Sequence, residues 1–159
     1  MLKTQNTSEV IDLRLAQKMR IAIVRTDYHK KLNDNLEKHC IATLVKNNIF
    51  LENIKTFSVP GSWEIPLITQ NLAKSKKFDA IIAFGIIIKG ETYHFEMLAN
   101  EVGHALMQLS LEYNLPIAME ILAAYKKEQA ENRAGDNEYN KGIEAAVAIL
   151  KMLKILKNE

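Results

Sequence analysis

A single cysteine, Cys40, stands in the 159 residues, so no disulfide forms within the chain and a disulfide-stapled secreted scaffold is excluded. Long apolar runs are missing as well. The longest, Ile81 to Ile88, falls far short of the roughly 20 residues that cross a bilayer. The opening MLKTQNTSEVIDLRLAQK holds no continuous apolar stretch and does not read as a secretory signal, which makes the cytoplasm the expected compartment. Neither sign of charge prevails: 21 basic and 19 acidic residues are interspersed, and no basic stripe carries interleaved aromatics. Nucleic acid and membrane are therefore not expected partners. Metal and nucleotide motifs fail in turn. There is no H-E-x-x-H, C-x-x-C or G-x-G-x-x-G, and His39-Cys40 puts two potential ligands on different helix faces. Gly85 and Gly90 have the spacing of a phosphate-binding P-loop, but Glu91 follows them, and its carboxylate would repel the phosphates such a loop holds.

What is present suits one ordinary globular domain, with nearly half the residues hydrophobic and a quarter charged. Residues 1–18 are polar and weakly patterned and read as an N-terminal arm, disordered or docked on a neighbour; residues 19–159 read as a single α/β domain. RIAIVR (20–25) is a short β-branched run and predicts a buried strand. Leu32, Leu36, Cys40 and Leu44 then recur at helical spacing over 30–48. NIKTFSV (53–59) predicts a second strand, stopped by Pro60-Gly61, and a helix opens at 65 with Pro66 in its first turn, where a missing N–H costs nothing. DAIIAFGIII (79–88) is the third and most buried strand. The helix after it carries an apolar stripe of Leu98, Val102, Ala105 and Leu109. LPIAMEIL (115–122) is the fourth strand, followed by a short helix around 126–134. A last helix from about 140 presents Ile143, Ala146, Val147, Leu150 and Leu153 on one face, with Lys151, Lys154 and Lys157 on a solvated one.

Strands that alternate with helices and are continuously apolar imply a parallel sheet covered on both sides. The fold class is therefore a three-layer α/β/α sandwich with a four-stranded parallel, flavodoxin-like sheet. Ligands of such sheets bind outside the carboxyl ends of the strands, here at loops 26–29, 60–64, 88–94 and 122–127. In the third loop Gly90 allows close backbone approach, and Glu91 and Thr92 offer N–H groups at a helix start, which favours an anion such as phosphate. His94 follows in the first helical turn, four residues before Leu98, where the sheet-facing stripe projects back onto it. It is expected over the strand ends rather than in bulk water, as a proton-transfer group; the plain alternative is a surface residue that happens to be histidine. The second loop, VPGSWEIP (59–66), sets Trp63, the one indole, beside Glu64. The pair suits a flat heterocycle and its N–H or hydroxyl groups, or else simply packs against and caps the next helix. Tyr28-His29 offers a further ring. Arg133 is either solvated or a bidentate phosphate ligand, and Lys141 opens the next helix. This last segment need not reach the Glu91–Thr92 loop within one chain, which suggests a site at an interface.

VPGSWEIP, GIIIKGETYHFEMLANEV and EQAENRAG…NKG, in this order and spacing, resemble the lumazine synthase family, the 6,7-dimethyl-8-ribityllumazine synthases of riboflavin biosynthesis. The likeness runs from about residue 20 to 153. It implies a transferase that condenses 5-amino-6-(D-ribitylamino)uracil with 3,4-dihydroxy-2-butanone 4-phosphate, releasing phosphate and water, with neither metal nor organic cofactor. It further implies that Tyr28 stacks on the pyrimidine, and that Ser62, Trp63 and Glu64 hold the uracil and ribityl chain. Ile86, Ile87 and Ile88 would line the same site through their backbone. Met119 falls at a uracil-site position, Glu91 and Thr92 at the phosphate-binding pair, His94 at the proton-transfer residue and Arg133 at a phosphate-gripping arginine. Lys141 and His29 become accessory residues. The implied assembly is pentamer-based, with active sites between adjacent subunits and Met119 and Arg133 contributed across the interface; riboflavin synthase is an implied partner. The chain departs from the family pattern at Asp27-Tyr28-His29, Ala123-Ala124 and Asn137. A non-catalytic flavin- or lumazine-binding shell protein on the same fold is the alternative. A flavodoxin-like electron carrier would want a hydroxyl-rich loop after the first strand, and TDYHKK is a poor one.

Overall fold

The computed structural model describes residues 10–157. Its elements run α1 (Leu13–Ala16), β1 (Ile21–Thr26), α2 (Lys30–Lys46), β2 (Ile54–Val59), α3 (Ile65–Ser75), β3 (Ala80–Ile88), α4 (His94–Tyr113), β4 (Ile117–Ala124), α5 (Lys127–Ala134) and α6 (Lys141–Lys157), with short 3-10 turns at Leu51–Asn53 and Ser62–Glu64. All strand pairings are parallel, in the order β2-β1-β3-β4. The expected α/β/α sandwich with a four-stranded parallel, flavodoxin-like sheet is therefore the fold observed.

Period-2 alternation sorts the strand side chains between two cores. Ile21, Ile23, Ala80, Ile82, Phe84 and Ile86 point to the layer that holds α2, α5 and α6. Ala22, Val24, Ile81, Ala83 and Ile87 point to the layer that holds α3 and α4. The two central strands are buried throughout, apart from half-buried Ile88. The sheet edges are barer: β2 and β4 mix buried with exposed positions, and Met119 and Ala123 are exposed, so cover on both faces is complete only at the centre.

Three expectations need correction. The fourth strand occupies 117–124 rather than 115–122, because Pro116 has no N–H for the ladder and only its carbonyl joins, accepting from the Ile81 N–H at 3.0 Å. The stripe of α4 is Phe95, Leu98, Val102, Leu106 and Leu109; Leu106, not Ala105, is its fully buried member. On α6 the buried residues are Gly142, Ala145, Ala146, Ile149, Leu150 and Leu153, with Ile143 and Val147 at the margin. Of the arm expected over 1–18, residues 1–9 lie outside the described residues. Beyond them Ile11 and Ala16 are buried in the α2/α6 core, joined by Met19, and α1 is capped by Asp12, whose carboxylate accepts from the Arg14 and Leu15 N–H groups.

Two contacts anchor α2 and α6. Arg25, buried at the end of β1, is held by Asp34 and by Glu37 at 2.8 Å, and Thr56 of the neighbouring strand donates to the far Glu37 oxygen at 2.6 Å. Burial works against the charge on Arg25; the two carboxylates outweigh it and hold the guanidinium protonated. The start of α6 meets α2 so closely that a methyl group on Gly142 would lie 2.1 Å from the Leu36 carbonyl oxygen. Because that neighbour is backbone, Gly142→Ala is expected to destabilise the protein by about 3 kcal/mol, read as a lower urea midpoint with an unchanged slope.

Candidate active site

Parallel pairing brings all four strand ends to one rim, and strand length then opens a crevice in it. The β1–β3 register ends at Arg25–Phe84, whereas β3 runs on to Ile88 and pairs over that extension with β4 alone, as far as Ile88–Ala124. The order in which strands are added also reverses between β1 and β3, since β2 lies beyond β1 and β4 beyond β3. This is the switch point at which open α/β sheets take ligands. On the β1 side, Ile86, Ile87 and Ile88 show backbone with no strand beside it. Ile86 and Ile87 bury their side chains, which leaves the main chain as their contribution to the crevice.

The other walls come from three loops. After β1, Tyr28 is 69% exposed and its ring meets His29 edge-on at 4.7 Å. His29 caps α2 with φ 56° and ψ 45°, a left-handed conformation that a non-glycine residue holds at a cost. Burial, and then the nearby Lys127 charge, lower the His29 pKa and favour its neutral ring. After β2, the 3-10 turn drops Ser62 onto β3, and the fit requires a glycine beneath it: a methyl group on Gly85 would lie 2.7 Å from Ser62 Oγ. With Ser62 buried, the turn throws Trp63 outward, 57% exposed, and folds the Glu64 carboxylate back against Gly61. After β3, Glu91, Thr92 and Tyr93 are exposed ahead of α4, whose cap residue Tyr93 makes no side-chain cap hydrogen bond.

His94 is the main correction at the site. It is exposed rather than tucked over the strand ends, because the α4 stripe projects back from Leu98 by three residues onto Phe95, not by four. Phe95 instead joins Lys89 and Tyr125 in a brace beneath the loop. The Lys89 ammonium pairs with Glu96 at 2.8 Å and stands 5.4 Å from the Tyr125 ring centre and 5.9 Å from that of Phe95. The Lys89 N–H donates to the Ala124 carbonyl at 2.9 Å, so the start of this loop is fixed to β4.

Arg133 and Lys141 are not brought to this crevice within the chain. They line a separate cavity of about 350 Å³ on the outer side of β4, with Leu122, Ala124, Tyr125 and Gln129. Arg133 is exposed and donates to the Gln129 carbonyl at 3.1 Å, and Lys141 pairs with Glu144. Met119 also stands apart: it pairs with Ala83, about 16 Å below the end of β3, with its exposed side chain towards α4 at Gly103. The turn that carries Trp63 packs over β3 on the α3/α4 face, whereas α5, which carries Arg133, packs in the other layer, so the two groups belong to opposite faces of the sheet. One chain thus keeps the crevice and the cavity beside β4 apart.

Two polar residues near these places escaped the sequence reading. Asn33, fully buried on α2, bonds the loop after β1; its signal is an amide standing where the helix stripe should be apolar. Glu120 lies on β4, flanked by apolar residues. Burial pushes its carboxyl up to about 7, with Lys141 pulling it back and Glu144 pushing it further up.

A layered parallel sheet whose crevice gathers aromatic rings, a carboxylate and a helix start is a ligand-binding protein of the open α/β class. Residues 18–157 match the family model for 6,7-dimethyl-8-ribityllumazine synthase. The chain is 41% identical over 137 residues to the 6,7-dimethyl-8-ribityllumazine synthase of Kosmotoga olearia, covering 86% of this chain and 88% of that one. It is 42% identical over 144 residues to the enzyme of the same name from Blochmanniella pennsylvanica, covering 90% and 91%. A Neisseria gonorrhoeae protein of that name is 38% identical over 141 residues, covering 89% of both. The chain belongs to the 6,7-dimethyl-8-ribityllumazine synthase family.

The raised Glu120 pKa sets a pH dependence. The folded state keeps a proton that the unfolded chain releases near 4.5, so this stabilisation is complete below about 4.5 and is lost as pH rises through about 7. At pH 8 the ionised carboxylate costs up to about 3 kcal/mol. Glu120→Gln is expected to melt higher than the parent at pH 8 and at nearly the same temperature at pH 4.5. A constant offset between the two curves would contradict the assignment.

Proposed function

We propose that the protein is the transferase that condenses 5-amino-6-(D-ribitylamino)uracil with 3,4-dihydroxy-2-butanone 4-phosphate to give 6,7-dimethyl-8-ribityllumazine, phosphate and water, the penultimate step of riboflavin biosynthesis. The observation that carries the proposal is the family match over residues 18–157, which takes in every loop of the rim. The names of the relatives favour the enzyme over a non-catalytic shell protein.

In this reading the uracil lies against Tyr28 and Trp63, with Glu64, Ser62 and the free main chain of Ile86–Ile88 taking its polar edge and the ribityl hydroxyls. Glu91, Thr92 and the opening of α4 take the phosphate, assisted by Arg133 from a neighbouring copy, with Lys141 as an accessory cation. The substrate amine adds to the ketone, and water leaves as the imine forms. Phosphate is then eliminated, and the ribityl nitrogen closes the ring with loss of a second water. His94 moves the protons for these steps, and holding both substrates side by side supplies much of the acceleration. Cations and helix amides stabilise the departing phosphate.

Exposed His94, Trp63 and Met119, together with Trp63 and Arg133 on opposite faces of the sheet, support a pentamer-based assembly in which each cleft lies between adjacent subunits. Met119 then completes the uracil side from across the interface. Among the described residues no helix is long and apolar enough to cross a membrane, which fits the proposed cytoplasmic location. Riboflavin synthase, which consumes the lumazine, is the proposed partner.

Mixing the purified protein with both substrates is expected to yield the fluorescent lumazine. His94→Ala should slow the reaction by about 10²-fold without lowering the melting temperature. Native protein that binds both substrates and forms no product would refute the enzymatic reading. Arg133→Ala is expected to raise KM for the butanone phosphate by roughly tenfold or more and to leave KM for the uracil within about twofold. Equal losses for the two substrates would remove Arg133 from the phosphate.

A further inference from the structure

Buried polar groups are costly unless bonded, so a buried amide on a helix stripe calls for an explanation. The inward stripe of α2 is Asn33, Leu36, Cys40, Thr43 and Leu44, and Asn33 is fully buried. An aliphatic residue there would simply extend the core. Instead the Asn33 Nδ2 group donates to Thr26 Oγ1 at 3.0 Å and to the Tyr28 carbonyl at 2.9 Å, with the His29 carbonyl at 3.5 Å. Thr26, itself buried, donates through the same hydroxyl to the Tyr28 carbonyl at 3.2 Å. The Asn33 Oδ1 finds no donor among the described residues. Only the donor half of the amide is therefore used, and all of it goes to one turn.

That turn is the one that carries Tyr28. Its backbone is bent sharply at left-handed His29, while the Asp27 N–H donates to the Val59 carbonyl at 2.8 Å and the Asp27 carboxylate accepts from Ser58 Oγ at 2.5 Å. Asp27 thus ties the near side of the turn to β2, and Asn33 ties the far side to α2. Between the two ties the Tyr28 side chain has no hydrogen-bonded anchor among the described residues and stands 69% exposed at the switch-point crevice. The backbone that carries it is gripped by Asn33 at the Tyr28 carbonyl.

We propose that Asn33 is a positioning residue for the heterocycle: by holding the Thr26–His29 turn from within the core, it presets the Tyr28 ring as a stacking platform. The inference rests on the proposed function, because it takes the flat ring to be the lumazine or its uracil precursor. Preorganising one ring saves the entropy of ordering it on binding, so loss of the grip lowers affinity for the aromatic ligand and spares the phosphate.

The test is fluorescence titration of the full-length protein with 6,7-dimethyl-8-ribityllumazine, alongside titration with inorganic phosphate. Asn33→Val is expected to weaken lumazine binding by about tenfold and to leave phosphate binding within about twofold. On a Tyr28→Ala background the same substitution is expected to add less than about twofold, because its effect runs through that ring. An equal loss on both backgrounds, or an equal loss for phosphate, would reduce Asn33 to a structural residue and overturn the proposal. Unchanged lumazine affinity would overturn it as well. Should Asn33→Val fail to fold, the nearly isosteric Thr26→Val removes the other member of the network and is judged by the same comparison. Wild-type protein that binds lumazine but makes none would refute the enzymatic reading and leave this binding test decisive. Wild-type protein that binds no lumazine would overturn both.

Discussion

Parallel strand pairing of unequal length governs this molecule. Because all four strands run the same way, every strand-to-helix loop emerges at one rim. Because β3 outruns β1, the rim is notched where the strand order changes direction. Backbone groups that a neighbouring strand would occupy elsewhere are left open in the notch. A ligand that enters it meets main chain on its floor and side chains from three loops on its walls. Gly85 is part of the same constraint, since a side chain there would push against Ser62 where the turn meets β3.

The strands were legible because burial on both faces demands continuous apolar runs, and β-branched runs bounded by turn residues admit few other readings. The first three strands lie within about one residue of their expected positions, and Pro116 accounts for the shift of the fourth. The rim loops were legible through glycine, proline and the lone indole. Helix faces were read less well. A stripe of period 3.6 can be extended by three residues or by four, and that ambiguity put His94 on the inner face when Phe95 holds it. The choice between Ala105 and Leu106 failed in the same way.

Polar burial was the least legible feature. Nothing local marks Arg25 as the partner of two carboxylates on the next helix, since Asp34 and Glu37 lie 9 and 12 residues away. Asn33 stands on the apolar stripe of its helix, but the partners that make an amide there tolerable appear only with the turn above it. Glu120 sits in an edge strand, where a carboxylate ordinarily faces water; α6 crossing behind the strand half-buries it. In each case the deciding partner is supplied by tertiary packing, which one-dimensional periodicity does not encode.

Cys40 lies wholly inside the core between α2 and the sheet, and burial drives its thiol far above the usual range, with Glu37 and Glu120 acting in the same direction. Thiolate, the reactive species, is therefore negligible while the chain stays closed. An electrophilic dye added to the intact protein would report how often α2 lifts away from β1 and β3, not surface chemistry. The one sulfhydryl is in effect an internal clock for opening of the α2 layer, with no engineered label needed to read it.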